Sequence, residues 1–412
     1  MEENGGKIYT ILIYANGNNE FEPEMRQLMQ QSQMAGSNGD VDIVLQTGRI
    51  EQKVLEIIRP SYVFDGTYKD DPGVKRYYLD GHEAVLAEAL GNINMADSAN
   101  LFDFIKWGME NYPAQHYILV MGGHVYQFVG INTDFSQDHP YIMGFPGMST
   151  ALCRIYESLK RKIDLLILDT CYMNTIEILY ELGKENPPPV LTVLTYLYKG
   201  PFAGLPYHTL IESVQKHCGT EDLKSMIKKI IDAVNLNLIA FEIDHEILIA
   251  LKRLFNDIAC CYLTNKGTME LSPVELFTLC EATCRWHGFI DLVKDISRCA
   301  EQLVIYLKNE SSVRGNITFA QKYLTDSRQL LLYNKLAFAR ENAWTELLSS
   351  KLPHHASGIS PDPHPEPMIL PLQVVYSYIS MLNPGLTPEE NKAILKKLYN
   401  HKKWDINPEN PS

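Results

Sequence analysis

Short apolar runs alternate with helical patterns along the first half of the chain, and this alternation restricts the possible folds most strongly. Five runs have the length of buried strands: 9–14, 41–45, 117–121, 164–169 and 190–196. Helical patterns lie between them, for example at about 22–34 and 98–111. Parallel strands need crossover connections, and helices supply them while covering both faces of a sheet. We therefore expect an α/β protein with a mostly parallel central sheet.

The second half has a different character. From about residue 206 to Tyr333 the periodicity is mostly helical, most clearly over 239–255. A segment rich in proline and histidine, 353–371, predicts an irregular surface segment, and a last helix is expected over 387–400. We therefore place a boundary near residue 210, with residues 1–210 as the α/β core. Residues 211–412 form a mostly helical region that either completes or covers this core.

Composition narrows the classes of function. The 412 residues carry a net charge of −13, which disfavours a nucleic-acid partner. No apolar run has the length of a membrane span, and the first residues lack the features of a signal peptide. The eight cysteines fit neither a paired CxxC zinc site nor a dense disulfide framework. We therefore expect a cytoplasmic protein with free thiols and no membrane contact, the alternative being a mature secreted form.

A cysteine and a histidine each follow the end of a predicted strand. Cys171 comes two residues after the 164–169 run, where a helical pattern over 173–183 is about to begin, and His124 follows the 117–121 run. If the two strands are neighbours, the imidazole lies within reach of the thiol, as in sites built around a cysteine nucleophile. The positive end of the helix dipole would favour a thiolate at Cys171.

Each of these residues also has a purely structural interpretation. Cys171 could be a small buried residue, and His124 an ordinary loop histidine after the Gly122-Gly123 turn. Asp169, two residues before Cys171, could cap the helix or bind a basic side chain, and the pattern leaves both open. The sequence has neither GxGxxG nor GK[ST], which disfavours a nucleotide-binding α/β protein. The backbone N–H groups of Val125 and Cys171 are candidate oxyanion donors.

Several segments, in their order and spacing, resemble the clostripain family of cysteine peptidases, which has the caspase-like fold of clan CD. The segments are 10–24, 41–49, 94–97, 101–107, 112–117, 169–173 and 201–207. The resemblance covers residues 8–210 well, and 356–360 is the clearest candidate beyond them. It implies a caspase-like three-layer α/β/α sandwich with a mostly parallel central sheet, followed by a largely helical C-terminal region.

The same resemblance implies a cysteine endopeptidase that cleaves after Arg or Lys through a Cys171–His124 dyad. It places Asp169 in the S1 pocket, which decides the open question about this residue in favour of substrate binding. The expected partner is a protein or peptide with Arg or Lys at the cleavage site, and a protein regulator on the helical C-terminal region is a candidate second partner. We expect no cofactor and no metal, since no acidic cluster has EF-hand spacing. The alternative is a non-catalytic caspase-like module that holds a partner protein.

Three features differ from the usual pattern of that family. Val125 follows the histidine where the family has glycine, and an acidic pair is missing after the 190–196 strand. Family members also commonly cut themselves after a basic residue between the histidine and the cysteine. No Lys or Arg occurs from Val125 to Cys153, so we predict a single chain that is not cleaved in this loop.

Overall fold

A computed structural model describes residues 6–65, 68–126, 130–171, 173, 176–196, 199–246, 248–249, 252 and 365–404 of the chain. Its strands and helices, in chain order, are β1 (Lys7–Gly17), α1 (Glu22–Ala35), β2 (Val41–Arg49), α2 (Gln52–Ile58), β3 (Gly73–Asp80), β4 (Glu83–Gly91), α3 (Ser98–Asn111), β5 (Ala114–Gly122), β6 (Val125–Tyr126), β7 (Gly130–Asp134), β8 (Tyr141–Gly144), α4 (Phe145–Leu159), β9 (Ile163–Asp169), α5 (Ile176–Gly183), β10 (Val190–Tyr196), α6 (Tyr207–His217), α7 (Leu223–Val234), β11 (Leu238–Glu242), β12 (Met368–Ile369), α8 (Leu372–Leu382) and α9 (Pro388–Lys402).

The apolar runs of the first half form the centre of the main sheet. Within the described residues its strand order is β11-β10-β9-β5-β1-β2-β3-β4. Strands β10, β9, β5, β1 and β2 run parallel, whereas β3 and β4 form an antiparallel hairpin beside β2. Ala15 is the register partner of Gly122, and Gly122 is the partner of Asp169. The carboxyl ends of β1, β5 and β9 therefore lie side by side at one edge.

Helices cover both faces of this sheet, which explains why its central strands are apolar along most of their length. On one face, α1, α6 and α7 pack against alternate residues of β1, among them Ile11 and Ile13. On the other face α3 lies so close to β1 that a Cβ atom at Gly108 would come within 2.3 Å of the Leu12 side chain. Helix α4 packs beside α3. The predicted three-layer α/β/α sandwich with a mostly parallel sheet is confirmed.

A second core joins distant parts of the chain. Strands β12, β8, β7 and β6 form a small antiparallel sheet. Apolar side chains of α2, α8 and α9 pack together around Phe135 and Ile142. Both sheets belong to one compact unit of Met1–Cys171, Pro189–Phe241 and Ser360–Ser412. The division into residues 1–210 and 211–412 stays a prediction.

A second unit comprises Tyr172–Pro188 and Glu242–Ile359. Its described part contains α5, which ends at Gly183. The Gly183 carbonyl oxygen lies 2.9 Å from His245 Nδ1. The mostly helical pattern predicted beyond residue 252, the cysteines from 260 to 299, the segment 353–364 and the family-like 356–360 lie outside the described residues. None of the described helices has the length and apolar character that crossing a bilayer requires.

Two helix predictions need correction. The helix predicted over 239–255 is wrong at its start, because Leu238–Glu242 form β11 at the edge of the main sheet. A short apolar run suits either structure, and pairing with β10 decides for the strand. Within the described residues, the helix predicted over 173–183 is α5, Ile176–Gly183, whereas Cys171 lies in a turn and Met173 is not helical. The effect of a helix dipole on the Cys171 thiol stays a prediction.

Candidate active site

His124 and Cys171 follow the ends of two neighbouring strands. Strands β5 and β9 are adjacent and parallel, with Gly122 opposite Asp169. His124 lies two residues beyond Gly122, and Cys171 lies two residues beyond Asp169, so both follow the same register pair. Neighbouring strands are about 4.8 Å apart. The fold thus brings the two residues predicted from sequence to one edge of the sheet, where open α/β sheets place their sites.

The backbone around His124 is fixed by a glycine and by β7. Gly123 has φ +154°, and a Cβ atom there would lie 2.8 Å from Asn132 Oδ1. The position therefore requires glycine. Asn132 N donates a hydrogen bond to the His124 carbonyl at 3.0 Å. These contacts fix the backbone from which the His124 side chain extends.

The imidazole of His124 is held on three sides. Its Nδ1 lies 2.5 Å from Glu20 Oε1. The Tyr378 ring stacks on it with centroids 3.8 Å apart, and the Phe21 ring meets it edge-on at 5.0 Å. The side chain keeps 13% of its surface exposed. The ring is therefore oriented by its neighbours and still accessible.

The thiol of Cys171 is half-buried beside the loop that follows β10. Its Sγ lies 4.0 Å from the Gly200 carbonyl, to which it donates a weak hydrogen bond. Burial raises the pKa of the Cys171 thiol above its usual range, and the nearby Asp169 carboxylate raises it further, while Gly200 and the Lys199 charge act in the opposite direction. Because burial dominates, this thiol needs a base or a cation to become a nucleophile.

The carboxylate of Asp169 is buried and held by three internal donors. The Tyr196 hydroxyl donates to Oδ1 at 2.6 Å, and the Tyr207 hydroxyl donates to Oδ2 at 2.8 Å. The backbone N–H of Leu205 donates to Oδ2 at 3.2 Å. Burial raises the pKa of Asp169, while these donors act to lower it. Asp169 therefore anchors the loop after β10 to the end of β9.

The loop after β10 fits closely over these residues. Gly204 has φ +74°, and a Cβ atom there would lie 2.7 Å from Asp169 Oδ2. Two residues earlier, the half-exposed Phe202 ring packs on Phe21 with centroids 4.9 Å apart, and the Arg59 guanidinium lies 5.3 Å from the Phe202 centroid. The loop thus runs from the Asp169 carboxylate to the aromatic side of His124.

The backbone donors proposed for an oxyanion lie in this same region. Val125 opens β6, pairs with Ile131 of β7 and is buried. Its carbonyl accepts a hydrogen bond from the Tyr378 hydroxyl at 3.4 Å. The oxyanion role of the Val125 and Cys171 N–H groups stays a prediction. No group of three or more His, Cys, Asp or Glu side chains in the described residues is arranged to hold a metal ion.

Sequence reasoning missed several residues around the candidate site, namely Glu20, Phe21, Tyr196, Tyr207 and Tyr378. Glu20 and Phe21 follow β1, whose carboxyl end lies beside that of β5, so a prediction that paired these two strands would have indicated them. Tyr378 is 254 residues beyond His124, and the two are in contact only through the tertiary fold. No local pattern signals that contact.

The chain is similar to a known protein family and to solved structures. A sequence profile of the clostripain family matches residues 24–350. Two C11 proteases are among the solved structures that are similar to the chain. One is a secreted C11 cysteine protease from Bacteroides thetaiotaomicron in complex with an irreversible peptide inhibitor, at 16% identity, with a TM-score of 0.43 over 61% of this chain and 70% of that chain. The other is an inactive zymogen C11 protease from Parabacteroides distasonis, at 12% identity, with a TM-score of 0.48 over 78% of this chain and 82% of that chain. Curated protein sequences give no match.

Proposed function

The chain belongs to the clostripain family and is a cysteine peptidase, and from this premise we propose that it is an endopeptidase that cleaves after Arg or Lys through a Cys171–His124 dyad. The observation that supports the dyad most strongly is the register of β5 and β9, in which Gly122 lies opposite Asp169. The imidazole and the thiol follow this pair at equal distance along the chain. A protein or peptide chain is the substrate.

The proposed reaction divides the work between the two side chains. His124 accepts the proton of the Cys171 thiol, and the sulfur attacks the carbonyl carbon of the scissile bond. The imidazolium then protonates the departing amine as the C–N bond breaks, which leaves an acyl-enzyme. Water, deprotonated by His124, attacks the thioester carbonyl and releases the acid and the free thiol. The N–H groups of Val125 and Cys171 donate to the oxyanion at each addition step.

The proposed basic specificity rests on Asp169. An ionised carboxylate offers about four acceptor positions, and three donors occupy it in the structure. In the described part of the chain, the influences on its pKa are burial and these donors, without any Lys or Arg. A guanidinium or ammonium group of the substrate would take the remaining position and neutralise a buried charge. We therefore propose that Asp169 forms the floor of the S1 pocket.

The test is cleavage of a peptide library that is acetylated at the N-terminus and amidated at the C-terminus, so that only an endopeptidase can cut it. We expect cuts after Arg and Lys, loss of all cutting in Cys171→Ala, and loss of the basic preference in Asp169→Asn. Cys218→Ala is the matched control, because Cys218 is also a free cysteine with a thiol pKa raised by burial. Cutting that survives in Cys171→Ala, or cuts after neutral residues only, would contradict the proposal.

Two finer expectations remain part of the proposal. A cytoplasmic location is supported by Cys171 and Cys218, which are free thiols in the described part of the chain. Fractionation of producing cells tests it, because recovery of the protein outside the cytoplasm would contradict it. A protein regulator on the helical C-terminal region stays a prediction, since most of that region, residues 253–364, lies outside the described residues.

A further inference from the structure

We infer that Glu20 is a positioning residue for His124, whose carboxylate fixes the imidazole through Nδ1 and leaves Nε2 to serve the Cys171 thiol. This inference rests on the proposed dyad and adds a third member to it.

The contact determines where the proton of a neutral imidazole lies. Glu20 Oε1 is 2.5 Å from His124 Nδ1, and the Glu20 side chain is fully buried. An ionised carboxylate can only accept hydrogen bonds, so Nδ1 carries the proton. The lone pair of the neutral imidazole is then on Nε2, which is the atom that must accept the thiol proton. A base oriented by a third group is the usual arrangement around an activated nucleophile.

The turn that carries Glu20 is held in place independently of His124. Asn19 Nδ2 donates to the carbonyls of Thr133 at 2.8 Å and Asn16 at 3.2 Å. Its Oδ1 accepts from Phe21 N at 2.8 Å. Arg59 donates to the Glu20 carbonyl at 3.1 Å. These bonds fix the backbone on both sides of Glu20, so its carboxylate is presented to His124 from a rigid support.

The imidazole has little freedom to leave the Glu20 carboxylate. Tyr378 of α8 stacks on one face at 3.8 Å, and Phe21 meets the ring edge-on at 5.0 Å. Stacking limits tilting, and the hydrogen bond to Nδ1 limits rotation of the ring within its plane. A site that holds its base in one orientation needs both restraints.

The burial of Glu20 is difficult to explain by folding alone. Within the described residues its Oε2 is buried without a hydrogen-bond partner, as is that of Glu22, and the ionisable group that contacts its Oε1 is His124. Two other acidic residues of this segment pair with arginine instead, Glu22 with Arg49 and Glu24 with Arg59. A buried charge without such a partner is unfavourable. It becomes useful when His124 turns into an imidazolium during catalysis, because the attraction is strong in a site shielded from water.

Proton NMR of the His124 imidazole tests this inference directly. In Cys171→Ala protein, we expect a low-field proton NMR resonance from the His124 Nδ1–H group, assigned by its loss in Cys171→Ala/His124→Ala. The resonance should disappear in Cys171→Ala/Glu20→Ala and persist, at a shifted position, in Cys171→Ala/Glu20→Gln, which keeps an acceptor of the same length. A resonance that is unchanged by Glu20→Ala would overturn the inference.

Kinetics of the otherwise unchanged chain provide the second readout. We expect kcat to fall about 100-fold in Glu20→Ala and about 10-fold in Glu20→Gln, with KM within about threefold of the parent. Glu22→Gln is the control, because Glu22 is equally buried but pairs with Arg49, and its kcat should match the parent. Equal kcat in Glu20→Gln and the parent would count against the role. Cleavage that persists in Cys171→Ala would instead refute the dyad, and the NMR result would still report on Glu20.

Discussion

Replacing Tyr207 by Phe removes one of the three hydrogen bonds to the buried Asp169 carboxylate. The Tyr207 hydroxyl lies 2.8 Å from Asp169 Oδ2, and the residue is 1% exposed, so no water can take its place without rearrangement. Phe keeps the aromatic ring and its packing. A hydrogen bond to a charged group contributes roughly 1.5–3 kcal/mol, against about 0.5–1.5 kcal/mol for a neutral pair. We expect the free energy of unfolding to fall by about 2 kcal/mol where Asp169 is ionised.

The size of this loss should depend on pH. Burial raises the pKa of Asp169 in the folded chain. The contribution of this carboxyl group to the free energy of unfolding is therefore fully present below its unfolded pKa of about 3.9. That contribution is lost as the pH rises through the folded pKa. Below the folded pKa, Tyr207 donates only to a neutral carboxyl, and the substitution should cost about 1 kcal/mol. Above it, Tyr207→Phe removes a charge-assisted bond, and the cost should approach the larger value.

Urea denaturation of both proteins from about pH 4 to pH 9 measures this difference. Tyr14→Phe is the matched control, because the buried Tyr14 hydroxyl donates to the neutral Met95 carbonyl at 2.9 Å. Its cost should be about 1 kcal/mol at every pH. If Tyr207→Phe costs no more than Tyr14→Phe throughout, the reasoning about an ionised Asp169 held by phenol donors is refuted.

Three further predictions concern the loop after β10, the Asp169 carboxylate and the chain between His124 and Cys171. Gly204→Ala should lower the free energy of unfolding by about 1–2 kcal/mol because of its φ of +74°, and by more because the new Cβ atom meets Asp169 Oδ2. In the control Gly39→Ala, a Cβ atom meets nothing within 4 Å, and the free energy of unfolding should change by less than about 0.5 kcal/mol. Equal losses for the two variants in thermal or urea denaturation would count against a close fit at Gly204. The KM of an Arg peptide should rise as pH falls through the raised pKa of Asp169, because a neutral carboxyl binds a cation weakly, whereas a neutral peptide should show no such rise in the same titration. Mass spectrometry of the active protein should find one chain that is uncut between residues 125 and 153, and two stable fragments divided there would contradict this.

Much of the fold follows from local sequence. The apolar runs that become β1, β5, β9 and β10 are short and are separated by helical patterns, so their parallel pairing follows from general rules of connection. The candidate dyad also follows, because residues just beyond parallel strands meet at one edge. Cys171 and His124 need only the adjacency of β9 and β5, which the structure contains.

Other features could not be predicted because distant contacts decide them. Leu238–Glu242 has an apolar run that suits a helix or a strand, and its place beside β10 selects the strand. The surroundings of Asp169 depend on Tyr196 and Tyr207 from later elements. Tyr378 reaches His124 from near the end of the chain. The sequence pattern predicts the edge of the sheet where chemistry is expected, whereas these contacts decide how each group is oriented and charged.

The most direct test of the account is the rate at which iodoacetamide alkylates Cys171 as a function of pH, followed by mass spectrometry of the peptide that contains it. With His124 as its base, Cys171 should react readily at about pH 6, where ordinary thiols are protonated. In His124→Ala the rate at that pH should fall at least about tenfold, since burial alone raises the pKa of this thiol. Identical pH profiles for Cys171 in the two proteins would show that the imidazole does not act on the sulfur.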